Sequence, residues 1–218
     1  IDWRRRFLVD YQNEAYAQRY LSMVRRAADL EKASYPGRTE LTRAVATCYF
    51  KLLAIKDEYE VARLHVHSGF LESVGRQFEG DFRLVFNLAP PLLARRDPAT
   101  GEPRKTEFGA WIVPVFRLLA KLRGVRGTVF DLFGHTRERR AERLLLSEYE
   151  ALLEKVLGTL ASSGDAARHG TAVALLSLPD GIRGFGHVRE RSIVAAGQRR
   201  EELLSAFERR VIPLKKAA

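Results

Sequence analysis

The sequence predicts a mainly α domain of six or seven helices with one small extended or β-hairpin insertion. Three observations lead there. Apolar residues recur at spacings of three and four along most of the chain, prolines and glycines gather between those runs, and Phe82 to Asn87 alternates instead. With 218 residues and 46% hydrophobic content the chain can bury a sizeable core. One domain over residues 1–218 is expected, with 82–108 as an irregular hairpin or arm.

Tyr16, Tyr20 and Val24 recur every four positions, with Met23 and Ala27 beside them and no proline or glycine between, so 2–32 reads as one long amphipathic helix. Tyr35, Pro36 and Gly37 make a turn, and Thr39 can cap a second helix. Its face is Leu41, Val45, Cys48, Tyr49, Leu52, Ile55 and Tyr59, running on into 57–63. A shorter helix covers 70–78 and ends at Gly80. Phe82, Leu84 and Phe86 then alternate with Arg83, Val85 and Asn87 as in a strand. Pro90 and Pro91 end that run, and Asp97, Pro98, Thr100 and Gly101 supply a turn.

Residues 109–122 resume as an apolar helix containing Trp111, Val115, Leu118 and Leu119, with Pro114 in its first turn or at a kink. Gly124, Gly127 and Gly134 interrupt the chain before Thr136, which can cap the clearest helix. The buried face of that helix is Leu145, Tyr149, Leu152, Leu153, Val156 and Leu160. After a loop at 162–165, a helix at 166–176 stops at Pro179, Asp180 and Gly181, and a last one runs over 187–211.

Several function classes drop out. No apolar run approaches the roughly 18 residues that cross a bilayer, and Arg4, Arg5 and Arg6 lack the apolar stretch of a secretory signal, so a cytoplasmic protein without a membrane partner is expected. The chain starts at Ile1 and its one methionine is Met23, so a fragment or processed product is expected. A single cysteine excludes an internal disulfide framework and a standard iron–sulfur cluster, which takes four thiolates. Cys48 falls on an apolar stripe, where its thiol is inert.

No residue is assigned a catalytic or metal-binding role. His65 and His67 point to opposite sides of a helix, and a helix end facing solvent suits them better than shared ligation. Lys56, Asp57, Glu58, Glu60 and Arg63 crowd two helical turns, with Lys56 and Glu60 four apart and Glu60 and Arg63 three apart, as in a salt-bridged surface or interface. At 181–188, Gly184 and Gly186 flank Phe185 ahead of a helix start. The stretch fits a tight interhelical turn, or an anion or domain contact formed by Arg183, Gly184, Gly186 and His187.

Four segments carry a resemblance. They are Asp10-Tyr11-Gln12-Asn13 with Ala15-Tyr16-Ala17; Lys56-Asp57-Glu58-Tyr59-Glu60-Val61-Ala62-Arg63-Leu64; Phe78-Glu79-Gly80 through Leu88-Ala89-Pro90-Pro91-Leu92 to Phe108-Gly109 and Trp111; and Ile182-Arg183-Gly184-Phe185-Gly186-His187-Val188. Arg126-Gly127-Thr128 and Phe133-Gly134 add to them, with Leu132 where a proline is expected. In order and spacing the chain resembles the carboxy-terminal domain of fused indolepyruvate:ferredoxin oxidoreductases, members of the 2-oxoacid:ferredoxin oxidoreductase family.

The resemblance implies a parent enzyme that oxidatively decarboxylates aryl pyruvates to acyl-coenzyme A, with thiamine diphosphate, magnesium and iron–sulfur clusters held outside this domain and ferredoxin as electron acceptor. It implies no cofactor here, since a Gly-Asp-Gly thiamine motif is represented only by Asp180-Gly181. The expected partners are the rest of the parent, ferredoxin and further copies in a homo-oligomer. The formal charge of +10 also fits a basic helical nucleic-acid-binding module, supported by Arg199, Arg200, Arg209, Arg210, Lys215 and Lys216 but by no recognisable motif.

Overall fold

A computed structural model of the chain describes residues 1–78, 80, 82–90, 104–162, 165–184 and 186–209. It is mainly α: among the described residues there are nine α-helices and one two-stranded antiparallel sheet. They form two compact units, one from Ile1, Gln18–Leu53 and Leu145–Ala218, the other from Asp2–Ala17 and Ala54–Leu144. No helix among the described residues is long and apolar enough to cross a membrane.

The first unit holds α2 (Glu14–Ser34) from Gln18 onward, α3 (Glu40–Leu53), α7 (Arg137–Ala161) from Leu145 onward, α8 (Ala166–Ser177) and α9 (Gly186–Glu208). The α3 helix packs on α8, α8 on α9, and a 3-10 turn at Leu178–Gly181 meets all three. The interior contains Tyr20, Tyr49 and Tyr149, whose stacked rings lie 6.1 Å apart pair by pair. Tyrosine is affordable there because its hydroxyl finds a carbonyl: Tyr20 donates to Ala46 at 3.0 Å and Tyr149 to Leu176 at 3.0 Å. Along α7 the expected positions Tyr149, Leu153, Val156 and Leu160 are buried, Leu157 joins them, and Leu145 and Leu152 are only half-buried; the Thr136 hydroxyl accepts the Arg139 amide as its cap.

The second unit holds α1 (Asp2–Tyr11), α4 (Glu58–His67), α5 (Phe70–Gln77), β1 (Phe86–Leu88), β2 (Thr106–Phe108) and α6 (Ile112–Lys121), followed by a 3-10 turn at Leu122–Val125. The two strands pair Phe86 with Phe108, Asn87 with Glu107 and Leu88 with Thr106. Ala62, Phe86, Ile112 and Phe116 form the buried centre beneath Val66, Leu71, Leu84, Leu88, Phe108 and Leu119. His65 belongs to this cluster, 5.0–5.5 Å from the rings of Phe70, Phe86 and Phe116, and not to a helix end turned to water.

Seven helical runs read from spacing become nine because two of them break. The run at 2–32 divides between Tyr11 and Glu14, where the Asn13 side chain accepts the Tyr16 amide at 2.9 Å and opens a new helix. The run from 39 to 63 divides after Leu53, and Asp57 caps α4. Among the described residues strand structure is three residues a side, and Phe82 to Val85 lie outside it. The expected turn at 97–101 and the end of the last helix beyond 209 lie outside the described residues.

Leu153 is fully buried in the first unit. Leu153→Ala is expected to cost about 3 kcal/mol, read as a lower denaturation midpoint at unchanged slope. A loss below about 0.5 kcal/mol, the usual size of a surface change, would contradict the packing described.

Candidate functional site

The segment 56–64 is best understood from the start of α4. Asp57 is extended (φ −93°, ψ −177°) and its carboxylate accepts the Glu60 amide at 2.8 Å, so it is the cap that sets where the helix begins. That position also turns the carboxylate inward: Asp57 and Glu60 are each 3% exposed. A salt-bridged surface or an interface was expected at 56–63; of its carboxylates, Asp57 and Glu60 are buried in an internal network of the second unit.

A buried carboxylate needs donors, and Arg126 supplies them. Its Nε and Nη2 donate to the two Asp57 oxygens at 2.5 and 2.8 Å, a bidentate pairing that only a planar guanidinium makes. Its Nη1 donates to the carbonyl of Tyr11, the last residue of α1, whose last turn carries no basic residue of its own. The guanidinium also lies 3.7 Å from the centre of the Tyr11 ring and 5.4 Å from that of Tyr59. Burial, the largest single effect, would lower the Arg126 pKa, but the Asp57 bond together with the Tyr11, Asp57 and Glu60 groups around the guanidinium outweighs it and the value is raised. Burial and the Asp57 charge push the Tyr11 phenol well above its usual value.

Asp131 holds the adjoining loop. Its Oδ2 accepts the Gly127 amide at 2.8 Å, and its Oδ1 accepts the Gly134 amide at 2.9 Å and the Tyr59 hydroxyl at 3.2 Å. Burial first, then Asp131, push the Tyr59 phenol up to about 12. Gly127 has φ +78°, and a Cβ at Gly134 would collide with the Asp131 carboxylate, so both glycines are required by geometry. At the edge of the network Glu60 binds Arg63 through two bonds of 2.8 Å, and Glu58 lies 3.5 Å from Arg139. The other Glu58 oxygen is buried with no hydrogen-bond partner among the described residues, and burial raises the pKa of this carboxyl despite Arg139. Lys56 precedes the helix and is exposed, so the expected Lys56–Glu60 helical pair gives way to a bond from Arg139 to the Lys56 carbonyl at 3.4 Å.

The first unit has a second centre that spacing did not suggest. Glu31 accepts the amides of Leu41 and Thr42 at 2.8 and 2.9 Å and the Thr42 hydroxyl at 2.6 Å, so α3 is capped by a carboxylate from α2. His169 lies 2.9 Å from Glu31 through Nε2 and 3.2 Å from the Arg38 guanidinium through Nδ1. Since guanidinium only donates, Nδ1 accepts and Nε2 carries the proton given to Glu31. Ligand atoms of Glu31, Glu40 and His169 lie within 4.8 Å of one another, the spacing of a metal set. Both His169 nitrogens and both Glu31 oxygens are nonetheless already engaged, so a cation would have to displace a helix cap. Glu31 and His169 are 138 residues apart, and nothing in their local sequence marks the pair.

The 181–188 stretch starts at the end of the 3-10 segment and finishes in the first turn of α9, which begins at Gly186. The Arg183 side chain lies on Asp180, 3.0 Å from its carbonyl and 3.3 Å from its carboxylate, and its amide bonds the Ser192 hydroxyl at 3.3 Å. Gly184 has φ +90° with Val188 against it, and His187 is exposed. Cys48 is buried and its thiol is pushed up by that burial.

Two variants test these centres. Asp57→Asn strands the Arg126 charge and is expected to cost about 3–5 kcal/mol. Arg126→Lys, which keeps the charge but not the fork, should cost about 2 kcal/mol in the same denaturation assay; losses under about 0.5 kcal/mol in both would refute the network. For Glu31, burial pushes the pKa up, but bonds from Thr42, Leu41 and His169 outweigh it and hold the carboxyl below its ordinary value. Its folded pKa lies below the unfolded one, so its stabilisation is complete above the ordinary range and fades as pH falls through the folded value. Glu31→Gln should lower stability at pH 7 by about 2 kcal/mol and flatten the stability loss below about pH 4.5. An acid limb identical to that of the unchanged chain would count against this.

A comparison with curated proteins and one with solved structures return no match. A family model described as a family of unknown function, DUF6537, matches residues 1–202, which include the Asp57–Arg126 pair, the Asp131 loop and the Glu31–His169 centre. The chain belongs to the DUF6537 family.

Proposed function

We propose that the chain is a non-catalytic accessory domain of a thiamine diphosphate-dependent indolepyruvate (2-oxoacid):ferredoxin oxidoreductase, packing on the catalytic body or mediating subunit or ferredoxin contact. The observation that carries this reading is the use made of the segment most distinctive in the resemblance, 56–64. Its three carboxylates are committed to partners in the same unit: Asp57 to Arg126, Glu60 to Arg63 and Glu58 to Arg139. Groups so engaged serve the shape of the domain and are poorly placed to transfer protons to a substrate.

The residues present do not fit the parent's cofactors. Cys48 is the single thiol and lies buried on α3, and the Asp180 carboxylate of the one Asp-Gly pair lies 3.3 Å from Arg183 and 3.9 Å from Lys51. Thiamine diphosphate, magnesium and clusters therefore belong to other parts of the parent in this reading.

The test compares the parent polypeptide with and without residues 1–218, following indolepyruvate-dependent reduction of ferredoxin or a dye together with assembly by light scattering. The expected result is a parent that keeps its clusters but loses assembly, or loses ferredoxin reduction more than dye reduction. Unchanged assembly and turnover after deletion, turnover by residues 1–218 alone, or tight nucleic-acid binding in a gel shift at moderate salt would overturn the reading.

A further inference from the structure

We propose that the outward stripe of α6 and the loop tip after it form a docking surface for another protein, one whose contact face has an apolar centre and a carboxylate rim. The stripe is Trp111, Val115, Leu118 and Leu122, exposed by 64%, 39%, 58% and 41%. At 100° per residue these positions fall within an arc of about 60°, while Ile112, Phe116 and Ala120 are buried on the far side. The helix is thus apolar on two faces, and only one of them is used by the unit's core.

The loop repeats the pattern. Val129, Phe130 and Leu132 are 82%, 77% and 70% exposed, yet Asp131 between them is 4% exposed and held by the Gly127 amide, the Gly134 amide and the Tyr59 hydroxyl. Pinning one residue inward fixes its neighbours outward. Apolar side chains grouped in water mark contact sites, and a surface held in place before binding loses less freedom on association.

Charge selects the occupant. Between Glu107 and Asp131 the only charged residues are Arg117, Lys121, Arg123 and Arg126, all basic. Arg126 is taken by Asp57, while Arg117 and Lys121 are exposed along one edge of the stripe. A second copy docked face to face would set these cations against each other, whereas carboxylates on a partner would complement them. A bilayer needs apolar depth but no fixed loop, so the Asp131 anchor favours a protein. The inference stands independently of the oxidoreductase reading.

The test uses the Trp3→Phe chain, in which Trp111 is the sole tryptophan and reports its own surroundings. The probes are an amphipathic helical peptide with a leucine face and glutamate flanks, its lysine-flanked counterpart, and vesicles of phosphatidylcholine with phosphatidylglycerol. The glutamate peptide is expected to shift Trp111 emission to shorter wavelength and to bind about tenfold tighter than the lysine peptide, the gap closing as salt rises. Leu118→Ser should weaken it about tenfold, and Arg117→Glu with Lys121→Glu should reverse the preference, with thermal unfolding unchanged because these residues are exposed. Equal affinity for both peptides, binding to neither, insensitivity to Leu118→Ser, or a Trp111 shift with vesicles alone would overturn the proposal.

Discussion

A carboxylate taken out of water must be met by donors, and the pairing of Asp57 with Arg126 is where this chain answers that demand most fully. Asp57 starts α4, Arg126 follows the 3-10 turn after α6, and the same guanidinium reaches the last carbonyl of α1. One cation therefore satisfies a helix cap and a helix end that would otherwise be left with unmet polar groups. Such a pair adds little net stability over an apolar substitute, since desolvation offsets much of the attraction, but it permits few alternative arrangements. In the second unit it specifies which ends meet.

The same constraint recurs at smaller scale. Asp131 is met by two backbone amides and the Tyr59 hydroxyl, and the loop from Gly127 to Gly134 takes its form from those bonds. Glu31 is met by the first-turn amides of α3 and by His169, so a side chain of α2 does what a local serine or threonine more often does. These internal acids are consumed by structure. What the second unit turns outward along 111–132 is largely apolar and basic.

Much of the architecture could be read from residue order. Helical spacing located seven runs, the Thr136 cap, the buried stripe of α7 and the burial of Cys48, because each rests on contacts within a few turns of one helix. Alternation at 82–87 located the β1 region, although a strand extends only as far as its partner does and β2 is three residues long. The breaks at Asn13 and Asp57 were masked because apolar spacing continues across them; both are side-chain caps, decided by where the carboxylate or amide finds a donor.

By itself the sequence determined the mainly helical class, the α7 stripe and the crowding of charge at 56–63, since these follow from local periodicity and composition. Only the tertiary structure decided that Asp57 and Glu60 face inward, that Arg126 and His169 are their units' key donors, and which face of α6 stays in water. The Asp57–Arg126 and Glu31–His169 pairs join residues 69 and 138 positions apart, and a helical repeat says which residues share a face without saying what that face will meet.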